Sequence, residues 1–254
     1  MAILSEVKGG VMRIRFDRAD KKNALTAAMY SALADALDAA EADPAVRVTL
    51  ISGTPGTFTA GNDIEDFLRT PPLTLDAPVF RFLMRLPTLT KPLVAEVTGV
   101  AVGVGTTMLL HCDLVYAADN ARFSLPFVSL GLLPEAGSSL LLPRLSGYQR
   151  AAEKLLLGEP FDVVEAREMG LVTRAVPAAE LSALVETQLA KLVALPAAAL
   201  RESKRLMKGD DIAALQARIR EEARAFAIRL QSPEAKEAFT AFLERRKPDF
   251  GKFG

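Results

Sequence analysis

Three short stretches carry the residue types from which chemistry could be built. The first spans residues 53–64, with Gly53, Gly56 and Gly61 followed by Asn62, Asp63 and Ile64, between a strand-like run and a helical pattern over 64–68. Gly56 and Gly61 stand at the spacing of a phosphate-cradling loop. Asn62 and Asp63 replace the Lys and Ser/Thr that would meet phosphate and magnesium, which argues against nucleotide hydrolysis. The second, residues 98–107, has Gly99, Gly103 and Gly105 between a strand and a helix, with Met108 where a dinucleotide fingerprint needs its third glycine. Glycines there either let strand and helix pack closely or bring free N–H groups against a developing negative oxygen, and two such loops could supply two donors. The third holds Glu135, a lone carboxylate in an otherwise uncharged run over 123–143. After Pro134 it either complements a helix N-terminus or acts as a general base whose apolar surroundings raise its pKa, and the pattern leaves both open.

The chain holds one histidine, His111, and one cysteine, Cys112, which excludes an intramolecular disulfide and a His/Cys-rich zinc site, so no metal is expected. His111 ends a short helix away from the glycine loop, where a buried or interface role is expected. Cys112 reads as a small core residue. Glu65 and Asp66 fall beside Arg69 at helical spacing, the pattern of a paired, solvated face. What remains is carboxylates, backbone amides, Lys/Arg and hydroxyls.

In 254 residues, 31 Lys+Arg balance 31 Asp+Glu, so the broad attraction that drives nucleic-acid binding is missing and no nucleic-acid partner is expected. The longest apolar run without charge, 97–112, is shorter than the roughly 20 residues of a membrane span, and the first residues lack a signal-peptide pattern. The expectation is a cytoplasmic protein without a membrane partner.

The elements that must position these loops are legible in outline. Alternation over 11–16 predicts a half-buried strand paired with 3–7 across Gly9 and Gly10. Thr26 can cap a helix whose inward face takes Met29, Leu33, Leu37 and Ala40, ending at Asp43-Pro44. Strands are predicted over 46–52, 93–97 and 113–118 and a short apolar helix over 106–111, which makes the fold class α/β. From Gly147 onward helices are predicted over 149–157, 163–169, 179–195 and 197–207. A last helix starts at Ser232 and Pro233, with Ala235, Ala238, Phe239 and Phe242 on one face. That face either packs on its own domain or covers a partner subunit.

Together these segments resemble the crotonase, or enoyl-CoA hydratase/isomerase, family over nearly the whole chain. The resemblance rests on Lys22-Asn23-Ala24-Leu25, the loop 58–64, the runs 91–99 and 112–117, Gly158-Glu159-Pro160-Phe161 and Gly170-Leu171-Val172. It implies a crotonase-like spiral of ββα units over 1–195 and a helical C-terminal region over 196–254 used in assembly as a homotrimer or dimer of trimers. It also implies an acyl-CoA thioester as ligand, with coenzyme A part of the substrate and no separate cofactor. Matched position by position, the oxyanion N–H groups fall on Asn62 and on Val104, where a glycine is usual.

The same matching puts Lys22, Ala24, Ala60, Gly61, Asp63 and Ile64 beside the coenzyme A portion and Gly103, Phe127 and Leu130 beside the acyl group. Phe80, Phe82 and Met84 are further candidates for setting pocket depth. Lys247 either approaches the coenzyme A phosphates or is solvated. A hydratase of this family would carry glutamates where Thr107 and Phe127 stand, and neither side chain can serve as an acid/base pair near neutral pH. Glu135 instead matches the acid in the Pro-Glu-x-x-Ser-Ser pattern of the Δ3,Δ2-enoyl-CoA isomerase branch, which implies a one-carboxylate proton shuttle in fatty acid metabolism. Weak hydration or another crotonase reaction, and acyl-CoA binding without turnover, are the alternatives.

Overall fold

Gly9 and Gly10 both have positive φ, 59° and 79°, the twist a two-residue hairpin needs. They join β1 (Ile3–Lys8) to β2 (Val11–Phe16), with Lys8 opposite Val11. The computed structural model describes residues 2–253. Met1 and Gly254, the outer limits of the two expected regions, lie outside the described residues. Thr26 accepts from the Met29 N–H and starts α1 (Ala27–Ala42), which buries Met29, Leu33, Leu37 and Ala40 as expected and Tyr30 besides.

Three similar turns of chain follow. The first is β3 (Val48–Ser52), β4 (Thr57–Thr59), α2 (Ile64–Arg69) and α3 (Pro78–Arg85). The second is β5 (Leu93–Val97), β6 (Val100–Val102) and α4 (Val104–Thr107), prolonged to His111 by a 3-10 turn. The third is β7 (Leu114–Ala118), β8 (Arg122–Ser124), α5 (Ser138–Ser146) and α6 (Tyr148–Ala152), drawn out to Leu157 by a π-helical turn. Then come β9 (Phe161–Asp162), α7 (Val163–Glu168), β10 (Arg174–Val176), α8 (Ala178–Ala194), α9 (Ala197–Lys208), α10 (Ile212–Leu230) and α11 (Pro233–Leu243).

In each turn the first strand enters one sheet and the second enters another. The six-stranded sheet runs β1-β2-β3-β5-β7-β10 and the four-stranded sheet β4-β6-β8-β9, parallel except at the β1–β2 and β8–β9 pairs. The structure is thus the α/β spiral of ββα units. Val48 and Leu50 join Leu181, Val185 and Leu189 of α8 in one apolar cluster while Ile51 belongs to the main core, so β3 is buried on both faces and reads as a near-continuous apolar run. Each such side chain contributes roughly 1.5–3 kcal/mol. The main core extends from Ile14 and Phe16 to Phe226 and Phe239, so residues on both sides of the 195/196 division share it.

Among the described residues no single helix is long and apolar enough to cross a membrane; α8 and α9 pass only as a pair bent by 106°. Three helices escape the sequence reading. Pro143 inside α5 reads as a breaker, α3 is only 8 residues long, and the buried stripe of α10 is interrupted by Glu222.

Candidate active site

Asn23 pins the first loop. It is fully buried with φ 55°, its Nδ2 donates to Thr54 Oγ1 and to the Thr57 and Phe58 carbonyls at 3.0 Å, and its Oδ1 accepts from the Arg18 N–H. The Ala60 N–H donates to the Lys22 carbonyl at 2.9 Å. Leu25 and Asn62 then form a parallel bridge through the bonds Leu25 N–H to Gly61 O and Asp63 N–H to Leu25 O. In such a bridge the bonds flank the middle residue, so the Asn62 N–H points away from Leu25, and it has no acceptor among the described residues.

Gly61 (φ +85°) lies directly on Val102 of β6, which brings the first loop against the second. There the Gly103 N–H is taken by the Ser124 carbonyl, and the Gly103 carbonyl accepts from Thr106 and Thr107. Val104 opens α4, where no helical turn can satisfy its N–H. The two expected donors are therefore both backbone N–H groups without acceptors among the described residues, on loops packed against each other.

A cavity of about 850 Å³ opens beside them. Lys22, Ala24, Ala60, Gly61, Asn62, Asp63, Ile64, Gly103, Phe127 and Leu130 all line it. The Asp63 carboxylate serves the scaffold: it caps α2 through the Asp66 N–H and pairs with Arg18 at 2.6 Å. Burial pushes its pKa up, but these donors hold it below the usual carboxylate range. Asp66 pairs with Arg69 at 2.8 Å, as expected.

Several placements correct the sequence reading. Val104 and Glu135 are not among the residues that line the cavity: the Val104 side chain is packed into the core, and Glu135 is buried. Phe80, Phe82 and Met84 are not on it either, because α3 turns the two phenylalanines into the core, where Phe82 meets Tyr30 with ring centroids 5.7 Å apart. Lys247 is exposed and away from the wall, whereas Arg245, unmarked in the sequence, lines it. Phe67, Leu132 and Phe226 complete the apolar lining with Phe239 and Phe242 of α11, so that helix packs on its own chain and leaves Phe242 59% exposed. Of these aromatic residues, only Phe239 and Phe242 are legible in the sequence, as one face of the last helix.

Glu135 is 5% exposed and its Oε1 has no hydrogen-bond partner among the described residues. Burial, with a smaller push from the charge of Glu222, raises its pKa to about 8. Burial lowers His111 to about 4, so its imidazole is neutral, and its Nε2 lies 2.7 Å from the Ala136 carbonyl. A carbonyl only accepts, so Nε2 carries the hydrogen and donates it. Burial pushes the Cys112 thiol up to about 12, which leaves it un-ionised and unreactive.

Tyr30, to which the sequence assigned no role, donates its hydroxyl to Asn62 Oδ1. Its own pKa is driven upward by burial and by Glu135. The ensemble offers one proton acceptor with near-neutral affinity and two N–H donors for an oxyanion, which suits proton abstraction next to a carbonyl.

A family model described as enoyl-CoA hydratase/isomerase matches residues 6–252. Enoyl-CoA delta isomerase 2 of Rattus norvegicus is 36% identical over 250 residues, covering 96% of this chain; the chain spans only 64% of the rat protein's length. The 2,3-dehydroadipyl-CoA hydratase of Escherichia coli K12 is 34% identical over 242 residues and 94% of each chain. The solved structure of Pseudomonas aeruginosa OdaA superposes with a TM-score of 0.93 at 50% identity, covering 96% of this chain and 99% of that one.

Proposed function

Because the chain belongs to the enoyl-CoA hydratase/isomerase family of acyl-CoA-processing enzymes, we propose that its own reaction is Δ3,Δ2-enoyl-CoA isomerisation with Glu135 as the single base. One observation carries this reading: Glu135 is a buried, unpartnered carboxyl of raised pKa; the family resemblance, which implies hydratase acids at 107 and 127, agrees, since Thr107 and Phe127 stand there. Glu135 removes a proton from C2 of a 3-enoyl thioester, and the electron pair delocalises into a dienolate. The Asn62 and Val104 N–H groups hold its oxygen, each contributing on the order of 3 kcal/mol. Glu135 then returns the same proton to C4, so no water is consumed. Phe127, Leu132 and Phe239 keep competing water away from the dienolate.

The same reading includes assembly as a homotrimer or dimer of trimers through residues 196–254, where Leu206, Met207 and Ile228 are exposed. Light scattering in solution tests that part. The reaction itself is tested by feeding a 3-enoyl-CoA to the wild type and to Glu135→Gln while following the 2-enoyl-CoA and its hydration product together. Isomerisation that vanishes in the variant, with little hydration throughout, supports the proposal. Hydration as the main activity, surviving the substitution, overturns it.

A further inference from the structure

The turn that carries Glu135 is unusual in its backbone. Ala136 (φ 61°) and Gly137 (φ 73°) are both left-handed, and a non-glycine residue stays in that region only when its surroundings hold it there. Two buried side chains that no step of the isomerisation uses meet this turn. His111 donates from Nε2 to the Ala136 carbonyl at 2.7 Å, and Glu222 Oε2 accepts the Gly137 N–H at 2.6 Å. These two backbone groups belong to the same peptide unit. Glu222 Oε1 also accepts from the Ser139 N–H at 3.1 Å and the Ser139 hydroxyl at 2.6 Å. The two N–H groups can only donate and so favour the ionised carboxylate, while burial, the larger effect, pushes the Glu222 pKa upward.

We propose that His111 and Glu222 are positioning residues for Glu135, gripping the Ala136–Gly137 peptide at its two ends and so aiming the carboxyl that stands on it. The inference rests on the reading of Glu135 as the base. Nothing else among the described residues bonds the Glu135 Oε1, so the carboxyl is aimed chiefly by its backbone. The grip is built into the packing: a β-carbon at Gly137 would stand 2.3 Å from Leu215 Cδ1, and Leu215, Ile219 and Glu222 share the face of α10 that lies on the turn. An ordinary cap for α5 would come from its own leading segment, whereas this carboxylate comes from 85 residues away and is buried to reach the turn.

The charges around Glu135 make the role measurable. Tyr30 on α1, which feels the Glu135 charge, and His111 at the end of the turn that follows α4 are neutral. On α10, Arg218 neighbours Glu222 and favours its ionised form. After burial, the charge of Glu222 is what raises the proton affinity of Glu135.

The test is the pH dependence of 3-enoyl-CoA isomerisation by the full-length chain from pH 5.5 to 9.5. Glu222→Gln is expected to lower the plateau kcat by about 10- to 100-fold at similar KM, and to move the midpoint of the rise down by about half a unit or more, because a like charge has gone. A merely structural role would lower the fraction of folded enzyme and leave kcat per folded site unchanged, whereas the midpoint reports that the Glu222 charge reaches Glu135. His111→Leu is expected to lower kcat with the midpoint unmoved, and His111→Gln, which keeps a donor, to restore much of it. A wild-type kcat per folded site in Glu222→Gln overturns the proposal. Should that variant fail to fold, equal rates for His111→Leu and His111→Gln overturn it. Full activity in Glu135→Gln would instead remove the base assignment itself; loss there, with wild-type behaviour in the clamp variants, removes only the clamp.

Discussion

Gly61 approaches Val102 so closely that a β-carbon at residue 61 would stand 2.8 Å from the Val102 carbonyl oxygen. That contact, with Gly61 at φ +85°, holds the Asn62 and Val104 loops side by side. Gly61→Ala is expected to cost about 1–3 kcal/mol of stability, read by urea denaturation. Isomerisation should fall more steeply than the loss of folded protein explains, because the Asn62 N–H moves off its line.

Glu135→Gln removes the proton acceptor while keeping the shape of the side chain. Turnover of a 3-enoyl-CoA is expected to fall about 10²- to 10⁴-fold, with binding of a saturated acyl-CoA unchanged by calorimetry. Wild-type turnover in the variant would refute the role.

Because burial lifts Glu135 to about 8, kcat/KM for isomerisation should climb with pH through about 8 and then level, since the active form is the carboxylate. Stability runs the other way. The folded state keeps a proton that the unfolded chain loses near the ordinary glutamate value of about 4.3, so the Glu135 contribution falls as pH rises from there to about 8 and is flat above it. Melting temperatures of wild type and Glu135→Gln across this range should diverge, the variant becoming relatively more stable toward pH 8.

Phe239 links the cavity to the core, its ring centroid 6.2 Å from that of Phe67 and its side chain on the cavity wall. Phe239→Ala is expected to cost about 3–5 kcal/mol, seen as a lowered melting temperature. It should also raise KM for longer acyl chains more than for short ones.

The sequence reading reaches furthest where one residue type has one physical job. Thr26 as a cap, Gly9 and Gly10 as a turn and the alternation through Ile14 and Phe16 stand where their chemistry puts them. The loops around Gly61 and Gly103 were identifiable because glycine placement reports backbone approach directly. What the sequence hid depends on contacts across long separations. Glu222 looks like one charge among several on α10 until Gly137 and Ser139 are brought to it. Tyr30 reads as part of a buried helix face, and only the fold delivers its hydroxyl to Asn62. The strands β4, β6 and β8, three residues each, are too short for any period to show.

The cavity is walled by Lys22 and Ala24 near one end of the chain and by Phe226, Phe239 and Arg245 near the other. A nascent polypeptide emerging from the ribosome as far as α9 already contains both N–H loops and Glu135, yet lacks the far wall and Glu222. A chain clipped after α9 would therefore keep both N–H loops and Glu135 and lose the surface that encloses a ligand against them.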